Sequence, residues 1–371
     1  MQFNKIKLKD IADINMGQSP IGSSYNNNGR GIPFLQGNKT FGFLYPTIDT
    51  WTTEPKKIGK KNSVLMSVRA PVGDLNIANK DICIGRGLCS IEMKDGNNQY
   101  LYYLLKKSIK KIKMKSTGTV FDSINRKELE NIEILDFDKL QQKKISKVLF
   151  DIDKKMELNI QTNDNLYELG DTLYKEYYSK YENELPNGYK CLNLDEVSVN
   201  FDSKRKPMSS REREQHKGTY PYYGATSIID YVDNYIFDDT YLLMGEDGTV
   251  KTSEGYPVLQ YIWGKNWINN HAHVLQGTII STEHLMFALR KKNIETLITG
   301  AVQPKINQVN MNKIKIIIGT DKVNKKFEEK IKIIVAKIKA NTIENETLIQ
   351  LRDTLLPKLM NGEIDLDKIE I

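Results

Sequence analysis

One helical segment occurs twice in this 371-residue chain. The stretch NLYELGDTL ends at Leu173 and TLIQLRDTL ends at Leu355, so the two copies are separated by 182 residues. The same separation aligns GTVFDSINRKELENIEI, which starts at Gly118, with GAVQPKINQVNMNKIKI, which starts at Gly300. The register holds without a gap over about 60 residues, which chance matches do not achieve. The chain is therefore an internal duplication, and both halves contain the same long segment.

Apolar residues in the repeated segment follow the alternating steps of four and three that form a heptad stripe. The first copy has Ile145, Leu149, Ile152, Met156, Asn159, Asn163, Leu166, Gly170, Leu173 and Tyr177. The second copy has Phe327, Ile331, Ile334, Ile338, Asn341, Asn345, Leu348, Arg352, Leu355 and Leu359. A narrow stripe on a rod of about 50 Å is most simply buried against the other copy. We predict two long helices, within residues 138–183 and 321–371, that form an antiparallel coiled coil.

Two asparagines stand in the middle of each stripe. A buried Asn costs stability but fixes the register, because an Asn opposite Ile loses its hydrogen bonds. Both helix directions bring the two middles together, so the asparagines do not select one. The duplication suggests a pseudo-two-fold axis, and an axis that crosses the helices makes them antiparallel. The alternative is two ordinary core helices. At the end of the second copy, Pro357 is expected to distort the helix and Asn361-Gly362 to terminate it.

The segments that precede the two helices have diverged. Short β-like runs such as SVLMSV and TYLLMG alternate with turns rich in Gly, Asn and Ser, and each segment then carries one helical patch, Gln99–Ile112 or Ser281–Lys292. We predict an α+β fold with two mixed α/β domains, residues 1–137 and 184–320, separated by the helical segments. The constant segments are expected to perform the same role twice, whereas the divergent segments are expected to perform different roles.

The composition favours an anionic partner and a reducing compartment. The formal net charge is +7, and the pI is about 8.9. The chain has three cysteines, a small and odd number that argues against a disulfide framework. The sequence shows no signal peptide and no apolar run of the roughly 20 residues that a membrane span needs. We therefore expect a cytoplasmic protein.

No motif for catalysis is found. The chain has no Pro-Pro pair for an amino-methyltransferase loop and no phosphate-binding loop for ATP. The pairs Asp238-Asp239 and Glu246-Asp247 resemble a Mg²⁺ nuclease site only weakly, since a glycine follows Glu246-Asp247 as in a turn. The histidines His271, His273 and His284 lack a supporting cluster of Cys or carboxylate ligands. We predict a non-catalytic binding protein with no metal.

Several motifs resemble the specificity subunit of type I restriction-modification systems. These are GQSP at Gly17–Pro20, the paired segments GTVFDSINRKELENIEI and GAVQPKIN, NNHAHVL from Asn269, and LIQLRDTLLPKLMNGEI near the end. The resemblance implies two target-recognition domains, each reading one portion of a split DNA sequence, with the helical pair setting the gap between them. It also implies partners: two methyltransferase subunits, which bring S-adenosylmethionine, and two ATP- and Mg²⁺-dependent motor-nuclease subunits.

Basic, amide and aromatic side chains interleave in both divergent segments, as phosphate contacts and base reading require. The first domain also carries a lysine run between Lys106 and Lys115. Our candidates for DNA contact in the first domain are Gln36, Asn38, Lys39, Arg69 and Arg86. In the second domain they are Lys204, Arg205, Tyr223, Thr226, Lys251 and Asn270. Any one of these residues alone is more simply a surface or packing residue, so the prediction depends on the set.

Two other functions stay open from the sequence alone. The first is a single-chain nuclease with carboxylates at Asp247 or Asp122, which predicts Mg²⁺-dependent cleavage by the purified chain. The second is a coiled-coil scaffold that binds only proteins, which predicts unaltered DNA mobility at low salt.

Overall fold

The computed structural model describes residues 3–115, 123–300, 302–364 and 366. The chain divides into two compact units: unit 1 is Met1–Gln161 with Asn341–Ile371, and unit 2 is Thr162–Ala340. Both boundaries fall inside the two long helices. Each unit therefore contains one mixed α/β domain and a portion of each helix.

The mixed domain of unit 1 consists of short strands with three helices in its described residues. The strands are β1 (Phe3–Lys7), β2 (Ala12–Met16), β3 (Tyr25–Asn26), β4 (Ile32–Leu35), β5 (Trp51–Thr52), β6 (Ile58–Gly59), β7 (Val64–Ser67), β8 (Leu75–Ile77), β9 (Ile82–Ile84), β10 (Leu88–Met93) and β11 (Glu133–Phe137). The helices are α1 (Leu8–Ile11), α2 (Asn98–Lys115) and α3 (Arg126–Glu130). The strands pair in the orders β1-β11, β2-β10-β7-β8 and β3-β5-β4-β9-β6.

Helix α2 covers the four-stranded sheet of unit 1, where it contacts β7, β8 and β10. Its buried residues recur every three or four positions, from Tyr100 through Leu104 and Ser108 to Ile112. The predicted helical patch Gln99–Ile112 lies inside this helix. Helix α4 (Lys139–Tyr177) follows β11 and runs from unit 1 into unit 2.

Unit 2 follows the same plan. Its strands are β12 (Lys190–Asn193), β13 (Ser198–Asn200), β14 (Lys217–Tyr223), β15 (Ile228–Val232), β16 (Phe237–Asp238), β17 (Tyr241–Gly245), β18 (Leu259–Ile262), β19 (Lys265–Ile268), β20 (Ala272–Gly277) and β21 (Lys315–Ile318). Its helices are α5 (Leu194–Val197), α6 (Ser210–Gln215), α7 (Thr282–Arg290) and α8 (Gln308–Asn312), and α9 (Asp321–Met360) completes the chain's helices within the described residues.

The sheet orders of unit 2 show that the duplication extends into the divergent domains. The pair β12-β21 matches β1-β11, and β13-β20-β17-β18 matches β2-β10-β7-β8. The third sheet, β15-β14-β19-β16, contains a parallel pair β14–β19 that matches the parallel pair β4–β9. The prediction of two α+β domains in an internal repeat is confirmed.

The two long helices pack against each other in antiparallel directions. In unit 1, Asn159 Nδ2 donates to Asn345 Oδ1 at 2.8 Å, and Arg352 Nη1 donates to Asp153 Oδ1 at 2.9 Å. In unit 2, Asn163 Nδ2 donates to the carbonyl of Ile338 at 3.4 Å. Residue numbers rise along α4 as they fall along α9, which confirms the antiparallel pair and the prediction that Asn faces Asn.

The predicted stripe residues lie on the inner faces of these helices. Ile145 and Leu149 are in the hydrophobic core of unit 1 together with Leu356 and Leu359 of α9. The core of unit 2 contains Phe327, Ile331, Ile334 and Ile338, with Leu166 and Leu173 packed against it. The remaining stripe residues are buried or half-buried, namely Ile152, Met156, Asn159, Asn163, Asn341, Asn345, Leu348 and Leu355.

Helix α9 continues through Pro357 to Met360. Gly362 then takes a positive φ of +73° and donates its N–H to the carbonyl of Leu359 at 3.1 Å. The N–H of Glu363 donates to the carbonyl of Lys358 at 2.8 Å. These bonds satisfy carbonyls of the last turn, so the predicted Asn-Gly terminator is confirmed.

Candidate nucleic-acid interface

Four loops of unit 1 meet where strands β4, β7 and β9 end; we call residues 17–20, 36–39, 68–74 and 85–87 loop cluster 1. Backbone hydrogen bonds join the loops to one another. The N–H of Gly87 donates to the carbonyl of Gln36 at 3.1 Å, and the N–H of Val68 donates to the carbonyl of Gly87 at 2.9 Å. The N–H of Gln18 donates to the carbonyl of Ile84, next to the fourth loop, at 2.9 Å. Because main-chain atoms hold the cluster, its exposed side chains are free to vary.

Two glycines allow these loops to approach so closely. A Cβ atom on Gly17 would lie 2.1 Å from the carbonyl oxygen of Gly85. A Cβ atom on Gly85 would lie 2.8 Å from Cα of Gln36. Both distances are far inside van der Waals contact, so neither position accepts a side chain without movement of the backbone. The GQSP motif that begins at Gly17 therefore has a structural role in assembling the cluster.

All five candidate residues of the first domain lie in loop cluster 1. Ser19 Oγ donates to Gln36 Oε1 at 2.8 Å and accepts from the N–H of Arg86 at 3.3 Å. Asn38 Nδ2 donates to Asp74 Oδ2 at 2.6 Å. The side chains of Lys39, Arg69 and Arg86 are exposed and form no ion pair within the described residues. The cluster thus presents amide and guanidinium groups, which are the groups that make bidentate contacts with base edges.

Unit 2 has a corresponding set of loops, which we call loop cluster 2: residues 201–206, 224–227, 246–248 and 269–271. The N–H of Asn269 donates to the carbonyl of Tyr223 at 3.1 Å, and the N–H of Glu246 donates to the carbonyl of His271 at 2.9 Å. Isolated bridges join Arg69 to Ser123 in unit 1 and Asp247 to Lys305 in unit 2. Ser123 and Lys305 differ by the repeat spacing of 182 residues. The same loop frame is therefore built twice.

The candidates of the second domain are distributed less evenly. Thr226 and Asn270 are exposed at the tips of two loops of the cluster. Lys204 is also exposed, with its Nζ 4.7 Å from the ring centroid of Phe201. Tyr223 is half-buried at the end of β14, and Lys251 lies outside the cluster, where it pairs with Glu295. The fold therefore exposes Thr226, Asn270 and Lys204 on three loops of the cluster, and places Lys251 elsewhere.

Arg205 lies in a half-buried ion-pair network within loop cluster 2. Its Nη1 atom is 2.7 Å from Glu246 Oε2 and 2.6 Å from the carbonyl oxygen of Ala272. Asp202 completes the network 3.4 Å from Nη2. Burial raises the pKa of Glu246, but the hydrogen bond from Arg205 and the neighbouring positive groups together hold that pKa below its usual value. The same guanidinium cannot also face a base without leaving these partners, so its DNA contact stays a prediction.

His273 belongs to the same network. Its Nδ1 atom lies 2.6 Å from Asp202 Oδ2, and its Nε2 atom lies 2.9 Å from the carbonyl oxygen of Ile306. Burial opposes ionisation of Asp202, yet the hydrogen bond from His273 holds the pKa of Asp202 below its usual value. Ligand atoms of Asp202, Glu246 and His273 lie within 4.8 Å of one another. Both ring nitrogens face oxygen acceptors, so His273 is bonded on both sides within this part of the fold.

The two carboxylates considered for a nuclease are placed differently. Asp247 Oδ1 lies 2.6 Å from Nδ1 of His271, a neighbour in loop cluster 2. Asp122 lies outside the described residues.

No helix of the described chain is long and apolar enough to cross a membrane.

Comparison with known proteins assigns the family. The profile described as "Type I restriction modification DNA specificity domain" matches residues 2–168 and again residues 186–352. The chain is 23% identical over 408 aligned positions to the type I restriction enzyme MjaIX specificity subunit of Methanocaldococcus jannaschii, covering 98% of this chain and 94% of that one. A second protein of that organism, which carries the name MjaX specificity subunit, is 44% identical over 145 residues, 38% of this chain and only 34% of its own length.

A solved structure shares the fold. The crystal structure of the type I restriction-modification system S subunit from M. genitalium superposes with a TM-score of 0.61 at 19% identity, and the match covers 96% of both chains. Two copies of the family domain, one on each half of the duplication, account for most of the sequence. The chain belongs to the type I restriction-modification DNA specificity family.

Proposed function

We propose that the chain reads a bipartite DNA sequence, with loop cluster 1 on one half-site and loop cluster 2 on the other. The observation that carries this proposal is the repetition of one loop frame with different exposed side chains. A frame held by main-chain bonds keeps its geometry, while Gln36, Arg69 and Arg86 in one copy and Thr226 and Asn270 in the other offer different hydrogen-bonding patterns. The two loop clusters would therefore recognise two different half-sites.

The coiled coil is proposed to set the spacing between the half-sites. Helices α4 and α9 contain 39 and 40 residues, so each is about 60 Å long. Because Asn159 bonds to Asn345 inside the pair, a shift in register would leave buried amides without partners. This registry supports a fixed spacer. Insertion of four residues, about one helical turn, into both helices should lengthen the gap in the recognised sequence, and an unchanged gap would contradict the role in spacing.

The catalytic chemistry is proposed to belong to partner subunits. By this account two methyltransferase subunits supply S-adenosylmethionine, two motor-nuclease subunits supply the ATP- and Mg²⁺-dependent steps, and the specificity chain acts in the cytoplasm without catalysis of its own. The duplicated segments offer each partner two equivalent positions, which is what supports a pairwise stoichiometry.

The test is methylome sequencing of a host that carries the gene and its neighbouring methyltransferase gene. Methylated adenines should occur in one split motif, and deletion of the specificity gene alone should remove that motif from the genome. Persistence of the motif after deletion would refute the proposal. Mg²⁺-dependent DNA cleavage by the purified chain alone would favour the nuclease alternative instead.

A further inference from the structure

The loops that follow the parallel strand pair correspond residue by residue between the two units. Strands β4 and β9 end together in one paired position, and so do β14 and β19. The next residues are Gln36 and Gly85 in unit 1, and Gly224 and Asn269 in unit 2. The N–H of Gly85 donates to the carbonyl at the end of β4 at 2.8 Å, and the N–H of Asn269 donates to the carbonyl at the end of β14 at 3.1 Å. An amide side chain and a glycine therefore exchange places between the units.

In unit 1 the oxygen of the Gln36 amide is held by two other loops of loop cluster 1. A Cβ atom on Gly85 would lie 2.7 Å from Gln36 Oε1, so this oxygen lies close to the Gly85 main chain. Ser19 Oγ, from the loop 17–20, donates to the same Oε1 atom at 2.8 Å. Gln36 is nevertheless exposed, and its Nε2 atom makes no hydrogen bond within the described residues. One end of the amide is thus bonded, and the other end is unpaired.

The hydroxyl of Ser19 has a partner for its proton and a partner for a lone pair. Its Oγ atom accepts the N–H of Arg86 at 3.3 Å and donates its single proton to Gln36 Oε1. A glutamine that reads adenine uses both ends of its amide, because the oxygen accepts from N6 and the nitrogen donates to N7. With Oε1 bonded to Ser19 and close to Gly85, Gln36 is left with the donor end.

Unit 2 does not repeat this arrangement. Gly224 has no side chain, and Asn269 is buried, with its Oδ1 atom accepting the N–H of His271 at 2.9 Å. Ser203 is the third residue after β13, as Ser19 is the third after β2. The Ser203 side chain is exposed and makes no hydrogen bond within the described part of the chain. The serine–glutamine pair therefore distinguishes unit 1 from unit 2.

Building on the proposed function, we propose that Gln36 reads one base pair of its half-site through Nε2 alone, and that Ser19 is a positioning residue that gives the amide this direction. The preferred base presents acceptors in the major groove, namely O6 and N7 of guanine or O4 of thymine. Adenine and cytosine present an amino donor, which a donor-only amide leaves without a partner. The two half-sites are read by unlike groups at this position, because Gly224 offers no side chain.

The experiment compares binding to duplexes that differ at one base pair. The full-length chain, purified together with the subunits that assemble with it, is titrated with a labelled duplex that carries the motif found by methylome sequencing. Unlabelled competitors carry each of the four base pairs at every position of the half-site that changes when residues 1–137 are exchanged. The position at which Gln36→Ala loses discrimination is the one that Gln36 reads.

At that position the wild type should prefer guanine or thymine over adenine by about 5- to 150-fold, the discrimination that one good base contact provides. Ser19→Ala should reduce this ratio towards one, because a freed Oε1 atom can accept from adenine N6. Ser19→Thr keeps a hydroxyl and should keep the wild-type ratio. Ser203→Ala, the same change at the corresponding serine of unit 2, should also keep it.

A double variant separates the positioning of the amide from a general effect on the loops. In the Gln36→Ala background, the further change Ser19→Ala should have no additional effect on base preference, because the amide that Ser19 orients is absent. An equal effect of Ser19→Ala in both backgrounds would show that Ser19 acts on the loops and not on Gln36.

Other results overturn the inference. A wild-type preference for adenine or cytosine at this position, or a Ser19→Ala ratio equal to that of the wild type, would contradict it. If Gln36→Ala keeps discrimination at every position, Gln36 only assembles the loop cluster and reads no base. If the wild type itself shows no preference for any split motif, the proposed function fails, and that result is distinct from a failure of Ser19 and Gln36 alone.

Discussion

In each unit the helix that covers the four-stranded sheet meets the coiled coil. The residues at this junction are charged and polar in unit 1 and apolar in unit 2. In unit 1, Asp153 of α4 is buried and accepts hydrogen bonds from Arg352 Nη1 of α9 at 2.9 Å and from Tyr103 Oη of α2 at 2.7 Å. Lys106 Nζ lies 3.9 Å from the same carboxylate. Burial and the adjacent Asp153 carboxylate raise the pKa of Tyr103, so its hydroxyl remains a donor. Unit 1 therefore closes this junction with a buried charge network.

Unit 2 closes the corresponding junction with apolar atoms. Asp153 and Arg352 correspond, at the repeat spacing, to Val335 and Gly170. Phe287 is the sixth residue of α7, as Tyr103 is the sixth of α2. The Phe287 ring packs so closely on Gly170 that a Cβ atom there would lie 2.1 Å from Cε1. The same backbone plan thus accepts two sets of residues: Asp153, Arg352 and Tyr103 in unit 1, which we call the charged triad, and Val335, Gly170 and Phe287 in unit 2.

This difference makes the pairing of the two helices distinct at the two junctions of a duplicated fold. A buried charge without its partner is strongly destabilising, whereas an apolar contact accepts many neighbours. Asp153 therefore depends on the Arg352 guanidinium, which also bonds to Asp353 Oδ1 through Nε at 2.9 Å. The repeat alone would make the two junctions equivalent. The buried charges make the unit 1 junction different from that of unit 2.

The largest expected effect comes from breaking the charged triad at one member. Asp153→Ala leaves the buried Arg352 guanidinium without this carboxylate, which should cost about 3–5 kcal/mol. Urea denaturation followed by circular dichroism measures the loss. A change below about 0.5 kcal/mol, typical of exposed sites, would show that the network contributes little.

A triple conversion should cost less than that single change. The combination Asp153→Val, Arg352→Gly and Tyr103→Phe gives unit 1 the residues of unit 2, and no charge of the triad is left buried. Replacement of a complete ionic cluster by apolar residues is often close to neutral. The same urea titration applied to the single and triple variants gives the coupling energy. A triple variant less stable than Asp153→Ala would contradict the equivalence of the two solutions.

Overpacking the corresponding junction of unit 2 should destabilise the protein less than Asp153→Ala does. Gly170→Leu forces a side chain against the buried Phe287 ring, and such overpacking typically costs about 1–3 kcal/mol. Phe287→Leu in the same chain makes space, so the double variant should be more stable than the sum of the two single losses predicts. Additive losses would show that Gly170 does not act through Phe287.

The smallest effect concerns pH. His284 is the third residue of α7, where α2 has Tyr100, and it is fully buried beside Glu328, Tyr178 and Phe327. Burial lowers the pKa of His284, although the Glu328 carboxylate opposes this. Below the ordinary imidazole pKa of about 6.5, the unfolded chain binds the additional proton, so unit 2 should lose stability as the pH falls from about 7 towards 5.

Substitution by the unit 1 residue tests this origin. His284→Tyr should flatten the pH dependence of the urea midpoint across the same pH range, while Tyr100→Phe in unit 1, which keeps the ring, should leave that slope unchanged. Equal slopes in the wild type and His284→Tyr would contradict the account.

The duplication, the helix pair and the facing asparagines were accessible to sequence reasoning because periodicity and register are local properties of the chain. The partners of buried charges were not. Arginine is a residue type that often contacts DNA, yet the guanidinium of Arg205 faces Glu246, 41 residues away, and the carbonyl of Ala272, 67 residues away. Only the fold brings these atoms together.

One signal for the buried triad was present in the sequence. Asp153 and Arg352 each break the repeat, since their counterparts are Val335 and Gly170, and two complementary departures at facing positions indicate a pair. The loop clusters gave no such signal, because their side chains diverge and their frame is held by main-chain atoms. Gln36 and Asn270 were thus predicted from residue type alone, whereas the sheet topology shows that they lie in corresponding loop clusters.

In the proposed function, loop clusters 1 and 2 each define one half of the recognised sequence. The most direct measurement is methylome sequencing of a host whose specificity gene encodes residues 1–137 of a relative with another target, joined to residues 138–371 of this chain. We predict a new motif in which one half-site has changed and the other half-site and the gap are retained. A change in both half-sites, or in neither, would contradict the claim.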